Sequence, residues 1–413
     1  MSSLSFKLSR GILNTIDPPI PLAYTWAEKY TGERGPLLDM SQGSPGDPPQ
    51  AALQSALATV SSSIDSFRYA NTSRGELALR QAMADEMRGS VYGAAADVTP
   101  EDMSLTAGCN MAFVATIIAL ADAGDEVILP VPWYFNHQMT LSMLSIATVP
   151  LKTRSENGFL PSITECKALI TPKTRAIVLV TPNNPTGATY PSSLIHEFFD
   201  LASEHSIALI VDETYRDFIT PPSLPHALFS RCTWRATLIH LFSFSKAYAI
   251  PGHRLGLVVA SPDFQKVLNT VLDSLQICAP RAIQLALAQP QLLSALRPGV
   301  STTARTLADR RQLFSRSLPR GWSVGSIGAY FAFVRHPFVG RSSTEVCRRL
   351  AQEMGVVLLP AAFFSSGNAP GEEDRWIRFS VANCNEEGIL GVCERLGQSA
   401  AVFEWEIELT VHS

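Results

Sequence analysis

A lysine, two serines and an arginine stand close together in Leu241-Phe-Ser-Phe-Ser-Lys246-Ala-Tyr-Ala-Ile-Pro-Gly-His-Arg254. A lysine after an apolar strand is ordinarily a solvated surface amine. Here Ser243, Ser245 and Arg254, the last returned by a loop holding Pro and Gly, can converge beside Lys246 on an anion. An amine held next to an anion site is what Schiff-base chemistry on a phosphorylated carbonyl compound requires. Upstream, Ile207-Ala-Leu-Ile-Val-Asp212-Glu-Thr-Tyr215 sets a carboxylate at the end of an apolar strand. Such an aspartate is often only a cap, but ligands of open α/β sheets bind outside these strand ends, so Asp212 is expected at the same crevice. Tyr215 alone reads as a packing residue with a wet hydroxyl. A third strand end carries Thr181-Pro-Asn-Asn-Pro-Thr-Gly187, where a rigid turn can aim the amide of Asn184.

The elements that must hold these residues follow from the apolar patterning. From Pro49 onward helical stretches (50–60, 74–88, 110–121, 192–205, 263–275) alternate with short Val/Ile/Leu runs (126–129, 176–181, 208–211, 237–241, 255–260). This is the pattern of a mostly parallel sheet covered on both faces. After about residue 300 a helix over 301–317, strands at 330–334, 356–359 and 376–381 and a helix over 343–354 predict a smaller α+β domain, completed by the N-terminal segment. The expected division is 1–48 joining the small domain, 49–300 as the large domain and 301–413 as the small C-terminal domain. The 413 residues suffice for two or three domains, and 46% hydrophobic with 17% charged residues is a folded composition.

The formal charge of −4, without a basic block, argues against nucleic acid as a partner. The longest apolar stretch, Met111 to Ala121, is about half a membrane span, so no membrane partner is expected. Seven cysteines, an odd number without a C-x-x-C pair, read as free thiols in a reducing compartment, and no metal site is expected. The location expected is cytoplasmic; Met1 to Arg10 lacks the apolar core of a secretory signal, although its Ser, Lys and Arg without acidic residues keep an organellar signal open.

Taken together and in order, Asn-Pro-Thr-Gly187, Asp212-Glu-Thr-Tyr215 and Ser243-Phe-Ser-Lys246 followed by Arg254 resemble the class I and II aminotransferases. These are fold-type I enzymes dependent on pyridoxal 5′-phosphate. The resemblance spans nearly the whole chain: Gln42-Gly43, Tyr69 ahead of Asn71-Thr-Ser-Arg-Gly75, Thr106-Ala-Gly108-Cys-Asn110, Gly124-Asp-Glu-Val127, Val131-Pro-Trp-Tyr134 and Trp376-Ile-Arg378-Phe-Ser-Val-Ala-Asn383.

The resemblance implies a role for each residue. Lys246 would hold the cofactor as a Schiff base and move the substrate proton, with Asp212 paired to the pyridine nitrogen. Asn184 and Tyr215 would bond the ring oxygen, and Tyr134 would stack on the ring, with adjacent Trp133 as competitor. Gly108, Cys109 and Asn110 would offer a helix N-terminus to the phosphate, completed by Ser243, Ser245 and Arg254. Tyr69 would reach the phosphate from the other subunit of a homodimer. Arg378 would grip the substrate carboxylate, helped by Gly43 and Asn184. Cys109 and Met111 depart from the small residue and Gln or Glu of many relatives, which bears on the detail of the phosphate cup.

Trp26, Tyr30, Trp234, Trp322, Phe331 and Phe333 read as core, His137 as a structural histidine, and Glu404 to Glu408 as a solvated edge strand or helix end. The expected activity is ping-pong transfer of an amino group from an L-amino acid to a 2-oxo acid. A lyase or replacement enzyme on the same fold (C–S β-lyase, or one like aminocyclopropane-carboxylate synthases) shares these motifs, and a catalytically silent regulatory protein that binds pyridoxal phosphate is the second alternative. The apolar N-terminal segment and Phe363-Phe364 point to a neutral, hydrophobic or aromatic substrate, and Arg281 is the unplaced candidate for a second carboxylate.

Overall fold

A computed structural model describes residues 5–220, 223–365 and 374–408; Met1 to Leu4 of the opening segment Met1 to Arg10 lie outside the described residues. The apolar runs form a seven-stranded sheet from β1 (Met103–Thr106), β2 (Glu126–Val131), β3 (Ala147–Lys152), β4 (Thr174–Val180), β5 (Ala208–Asp212), β6 (Leu238–Ser243) and β7 (Gly256–Val259). The spatial order is β1-β7-β6-β5-β4-β2-β3. Only β7 runs against its neighbours β1 and β6; the remaining pairings are parallel. Consequently the ends of β1, β4, β5 and β6 and the beginning of β7 share one edge.

Period-two alternation splits each central strand between two cores. Ile177, Leu179, Leu209 and Val211 pack with Phe198 and Phe199 of the helix Ser192–Glu204. Ala176, Val178 and Ile210 face the other way, onto Phe113 and Ile117 of the helix Cys109–Leu120 and Leu268 and Leu272 of the helix Pro262–Gln276. Both faces are therefore dry, which is why these strands read as continuous apolar runs.

A second sheet is antiparallel: β8 (Ser323–Gly328), β9 (Phe331–Arg335), β10 (Leu359–Pro360) and β11 (Trp376–Ser380), in the order β10-β11-β9-β8. Its core holds Val346 and Leu350 of the helix Ser343–Met354, Ile389 and Leu396 of the helix Glu386–Phe403, and Ala23 and Trp26 from the N-terminal helix Pro19–Ala27. The N-terminal Leu38–Asp39 pairs in parallel with Val356–Val357.

The helix expected over 301–317 begins at Leu292 and runs through Pro298. Strands β1, β3 and β8 and the helices Phe135–Met143 and Glu386–Phe403 carry no counterpart in the sequence reading. For β3 and β8 the reason is physical. Both are edge strands, one containing Pro150 and the other Gly325 and Gly328, residues that weaken a strand signal and are tolerated at edges. At the C-terminus Glu404 ends the last helix, Ile407 bridges to Phe338, and the Trp405 ring lies 5.2 Å from that of Phe338.

Candidate active site

Strand β6 ends at Ser243, whose hydroxyl accepts from the Ser245 N–H (3.3 Å) and caps the one-turn helix Phe244–Ala247 that carries Lys246. The Lys246 amine donates to the carbonyl of Gly43 (2.6 Å). Burial, then the cations Arg254 and Arg378, bring its pKa down to about 8. A side chain on Gly43 would strike the Phe331 ring, so glycine lets this backbone come close to the amine.

Asp212 closes β5 and is buried. Its Oδ1 accepts from the Thr214 N–H (3.0 Å) and hydroxyl (2.7 Å), while Oδ2 lies 3.3 Å from His137 Nε2 and 3.8 Å from the Cys109 thiol. Burial alone would raise the Asp212 pKa; His137 and Thr214 outweigh it and hold the carboxyl below its usual range. His137, read from sequence as structural, thus touches the site, with its ring stacked on Phe113 at 3.9 Å. It sits on the unpredicted helix Phe135–Met143, and its nearness to Tyr134 was the one signal available.

Gly108 has a φ of 87° and precedes the helix Cys109–Leu120, whose first-turn N–H groups at Cys109 and Asn110 have no intrahelical acceptor. The Arg254 guanidinium fills the space a Gly108 side chain would need. Arg254 reaches it from the start of β7, itself at a positive φ of 50°, with Nη1 donating to the Pro251 carbonyl (3.0 Å).

Arg378 on β11 is 1% exposed, and no carboxylate pairs with it among the described residues. Nη1 donates to Asn184 Oδ1 (2.9 Å), Nη2 to the Ser41 carbonyl, and buried Nε has no partner. The guanidinium lies over Phe331 (4.8 Å) and Phe364 (5.1 Å), and burial lowers its pKa to about 10. Phe331, expected as core, is buried, and its ring supports the Arg378 guanidinium. With Oδ1 held by Arg378, the Asn184 amide N–H groups remain free to donate.

Lys246, Asp212, Tyr215, Asn184, Tyr134, Cys109, Asn110, Ser243, Ser245, Arg254, Arg378 and Gly43 all line one cavity of about 350 Å³. The adjacent aromatics take different positions. Tyr134 lines the cavity, its hydroxyl donating to Asn110 Oδ1 (3.2 Å), and burial raises its pKa to about 12; Trp133 is packed in the core. The Tyr215 ring rests 5.2 Å from those of Tyr330 and Phe331, and burial pushes its hydroxyl pKa far up, so it stays a donor. Tyr69 is not brought to the cavity of its own chain and is 70% exposed. Arg281 is also elsewhere, its Nε donating to Glu76 (2.7 Å) and Nη1 to the Asp65 carbonyl (2.9 Å).

Residues 36–396 match the family model described as aminotransferase class I and II. The arginine–pyruvate transaminase AruH of Pseudomonas aeruginosa is 31% identical over 351 residues, 81% of this chain and 84% of that protein. The aromatic aminotransferase ISS1 of Arabidopsis thaliana is 28% identical over 361 residues, 84% of this chain and 86% of that one. Among solved structures, the aspartate aminotransferase of Thermus thermophilus with maleate superposes with a TM-score of 0.84 at 24% identity. It covers 95% of this chain and 99% of its own.

Proposed function

Because the chain belongs to the class I and II aminotransferases, which work with pyridoxal 5′-phosphate, we propose that the cavity at the sheet edge is its active site. The donor set fits that cofactor. The free N–H groups of Cys109 and Asn110, the hydroxyls of Ser243 and Ser245 and the Arg254 guanidinium would hold the phosphate dianion, with the positive end of a helix dipole behind them. Gly108 without a side chain leaves Arg254 its place. Asp212, kept ionised by His137 and Thr214, would pair with the pyridine nitrogen; Tyr134 would cover the ring; Asn184 and Tyr215 would donate to its oxygen.

When bound, the cofactor supplies an electron sink for the charge left at the substrate Cα and carries the amino group between the two half-reactions. The protein's own residues do the rest. Arg378, which lines the cavity, would hold the substrate carboxylate with its guanidinium N–H groups and so fix the Cα–H bond relative to the ring. Lys246, half neutral near pH 8, takes the proton from the substrate Cα.

The observation that carries this reading is the convergence of Lys246, Asp212, Arg254 and Arg378 on one cavity. Among its described lining residues Asp212 is the sole carboxylate, and the cations Lys246, Arg254 and Arg378 all have assigned tasks. A charged substrate side chain thus finds no spare partner from this chain, while Ile20 and Phe135 offer apolar wall. We therefore assign a neutral, hydrophobic or aromatic donor, in line with the activity named for the Arabidopsis relative rather than that of the Pseudomonas one.

The exposed Tyr69 lies in sequence among Ile64 (65%), Phe67 (77%) and Leu77 (57%), apolar residues that a second copy of the chain would cover. We assign a homodimer in which Tyr69 of the partner subunit completes the phosphate cup. Residues 49–300 form the cofactor-binding domain in this assignment, with 1–48 and 301–413 as the smaller one. A cytoplasmic location agrees with seven unpaired cysteines, and no helix among the described residues is long and apolar enough to cross a membrane.

Lys246→Ala tests the reading. The variant is expected to lose the visible absorbance of covalently held cofactor and all amino transfer to a 2-oxo acid. Turnover by the variant, or wild-type release of pyruvate and ammonia without transfer, would overturn it.

A further inference from the structure

Gln42 lies between the two backbone contacts that define the substrate end of the cavity. The carbonyl of Ser41 before it accepts from Arg378, and that of Gly43 after it accepts from Lys246. A substrate with its carboxylate on Arg378 and its amino group at Lys246 therefore presents the third substituent of Cα to the remaining wall. Ile20, Gln42, Phe135 and Asn136 are among the lining residues that have no task at the cofactor or at the carboxylate.

The orientation of the Gln42 amide follows from hydrogen-bond bookkeeping. Tyr24 Oη is 2.5 Å from Asp39 Oδ2 and 2.8 Å from the Gln42 amide nitrogen. Asp39 is itself held by the N–H (2.7 Å) and hydroxyl (2.6 Å) of Ser41, both on Oδ1. A carboxylate only accepts, so the single Tyr24 hydroxyl proton goes to Asp39. The phenol oxygen must then accept from Gln42, which commits the amide nitrogen to Tyr24 and leaves Oε1 as the uncommitted acceptor. Burial, with the Asp39 charge, raises the Tyr24 pKa, so this proton stays in place.

We propose that Gln42, oriented by Tyr24 and Asp39, is a specificity-determining residue that accepts a hydrogen bond from the substrate side chain. The preferred donors are then neutral amino acids whose side chain ends in an O–H or N–H group. The inference deepens the transaminase reading and rests on it. It separates substrates of similar size: tyrosine is favoured over phenylalanine, and glutamine over methionine.

The test is the rate at which each amino acid of the two pairs discharges the visible absorbance of the purified holoenzyme in a single half-reaction, without a second substrate. One hydrogen bond corresponds to a preference of about three- to tenfold in each pair. Gln42→Leu is expected to bring both ratios to about one. Tyr24→Phe, which removes the acceptor that orients the amide, is expected to lower them part of the way. A merely structural role for Gln42 would slow both members of a pair alike and leave the ratios intact; that result overturns the proposal. Equal wild-type rates within each pair also overturn it while leaving the transaminase reading standing. An unchanged absorbance with all four amino acids overturns both.

Discussion

The Arg254 guanidinium occupies the position in which a side chain on Gly108 would begin. Two distant segments, the turn after β1 and the start of β7, thereby build one anion cup, and the positive φ at both residues is part of how they meet. Gly108→Ala must displace Arg254 and also strain the backbone. Loss of one charge-assisted contact to phosphate is expected to weaken pyridoxal phosphate binding by about 10- to 100-fold. Equilibrium titration of the apoenzyme, followed by cofactor fluorescence, measures it.

Covalent capture of the cofactor by Lys246 should depend on pH through the amine itself. A neutral amine is needed, and burial together with Arg254 and Arg378 places its pKa at about 8. The capture rate of apoenzyme is thus expected to rise about tenfold per pH unit below 8 and to level off above it. Arg378→Gln removes one repelling cation and should move the midpoint upward. Stopped-flow absorbance across pH 6 to 10 gives both profiles.

Asp212, Lys246 and the Thr181–Gly187 loop were legible in the sequence because each follows a buried apolar strand, and a strand end is a place as well as a composition. Gln42, His137 and Phe331 were not legible as site residues. Gln42 acquires its meaning from hydrogen bonds to Tyr24 and beyond it Asp39, and His137 from a carboxylate on another strand. Phe331 is a buried aromatic whose other face happens to carry Arg378. The Trp133/Tyr134 ambiguity had the same origin, since composition cannot say which of two adjacent rings faces the cavity. The parallel sheet was readable from its fully buried strands, whereas edge strands β3 and β8 lacked that signature because solvent tolerates their proline and glycines.

His137 holds Asp212 from the side away from Thr214, and its contact to Oδ2 helps keep that carboxyl ionised. His137→Phe keeps a ring against Phe113 but removes the donor. The expected result is a fall in kcat of about 3- to 10-fold, corresponding to one hydrogen bond. Replacing the charge itself in Asp212→Asn should cost at least about 100-fold, because 1–3 pKa units of ring protonation are lost as well. Steady-state kinetics of both variants, with thermal melting to establish folding, tests the order of the two effects.

Behind the cavity the neighbour of Asp212 points the other way, into a second buried polar cluster. Glu213 Oε2 accepts from Tyr92 and lies 3.1 Å from His240 Nε2 and 3.3 Å from His226 Nε2. Burial pushes the His240 pKa down to about 4, although Glu213 opposes the shift. Unfolded, this histidine titrates near 6.5, so between those values the unfolded chain binds a proton that the native one refuses. Stability conferred by neutral His240 is therefore complete above about pH 6.5 and declines as pH falls toward 4. His336, lowered to about 3 by burial and then Arg375, acts with the same sign. Glu213, held below the usual carboxylate range, acts with the same sign at lower pH: its contribution is complete above about pH 4.5 and is lost as pH falls further. From pH 7 to pH 5 each of the two histidines should thus cost about 2 kcal/mol. His240→Gln can still donate to Glu213 from its amide but cannot titrate. Its urea midpoint should fall between pH 7 and pH 5 by roughly half the wild-type amount, at fixed protein concentration. An equal fall in both proteins would mean that His240 titrates alike in the folded and unfolded chains, and a larger fall in the variant would mean that the Glu213 cluster holds His240 as a cation at pH 7.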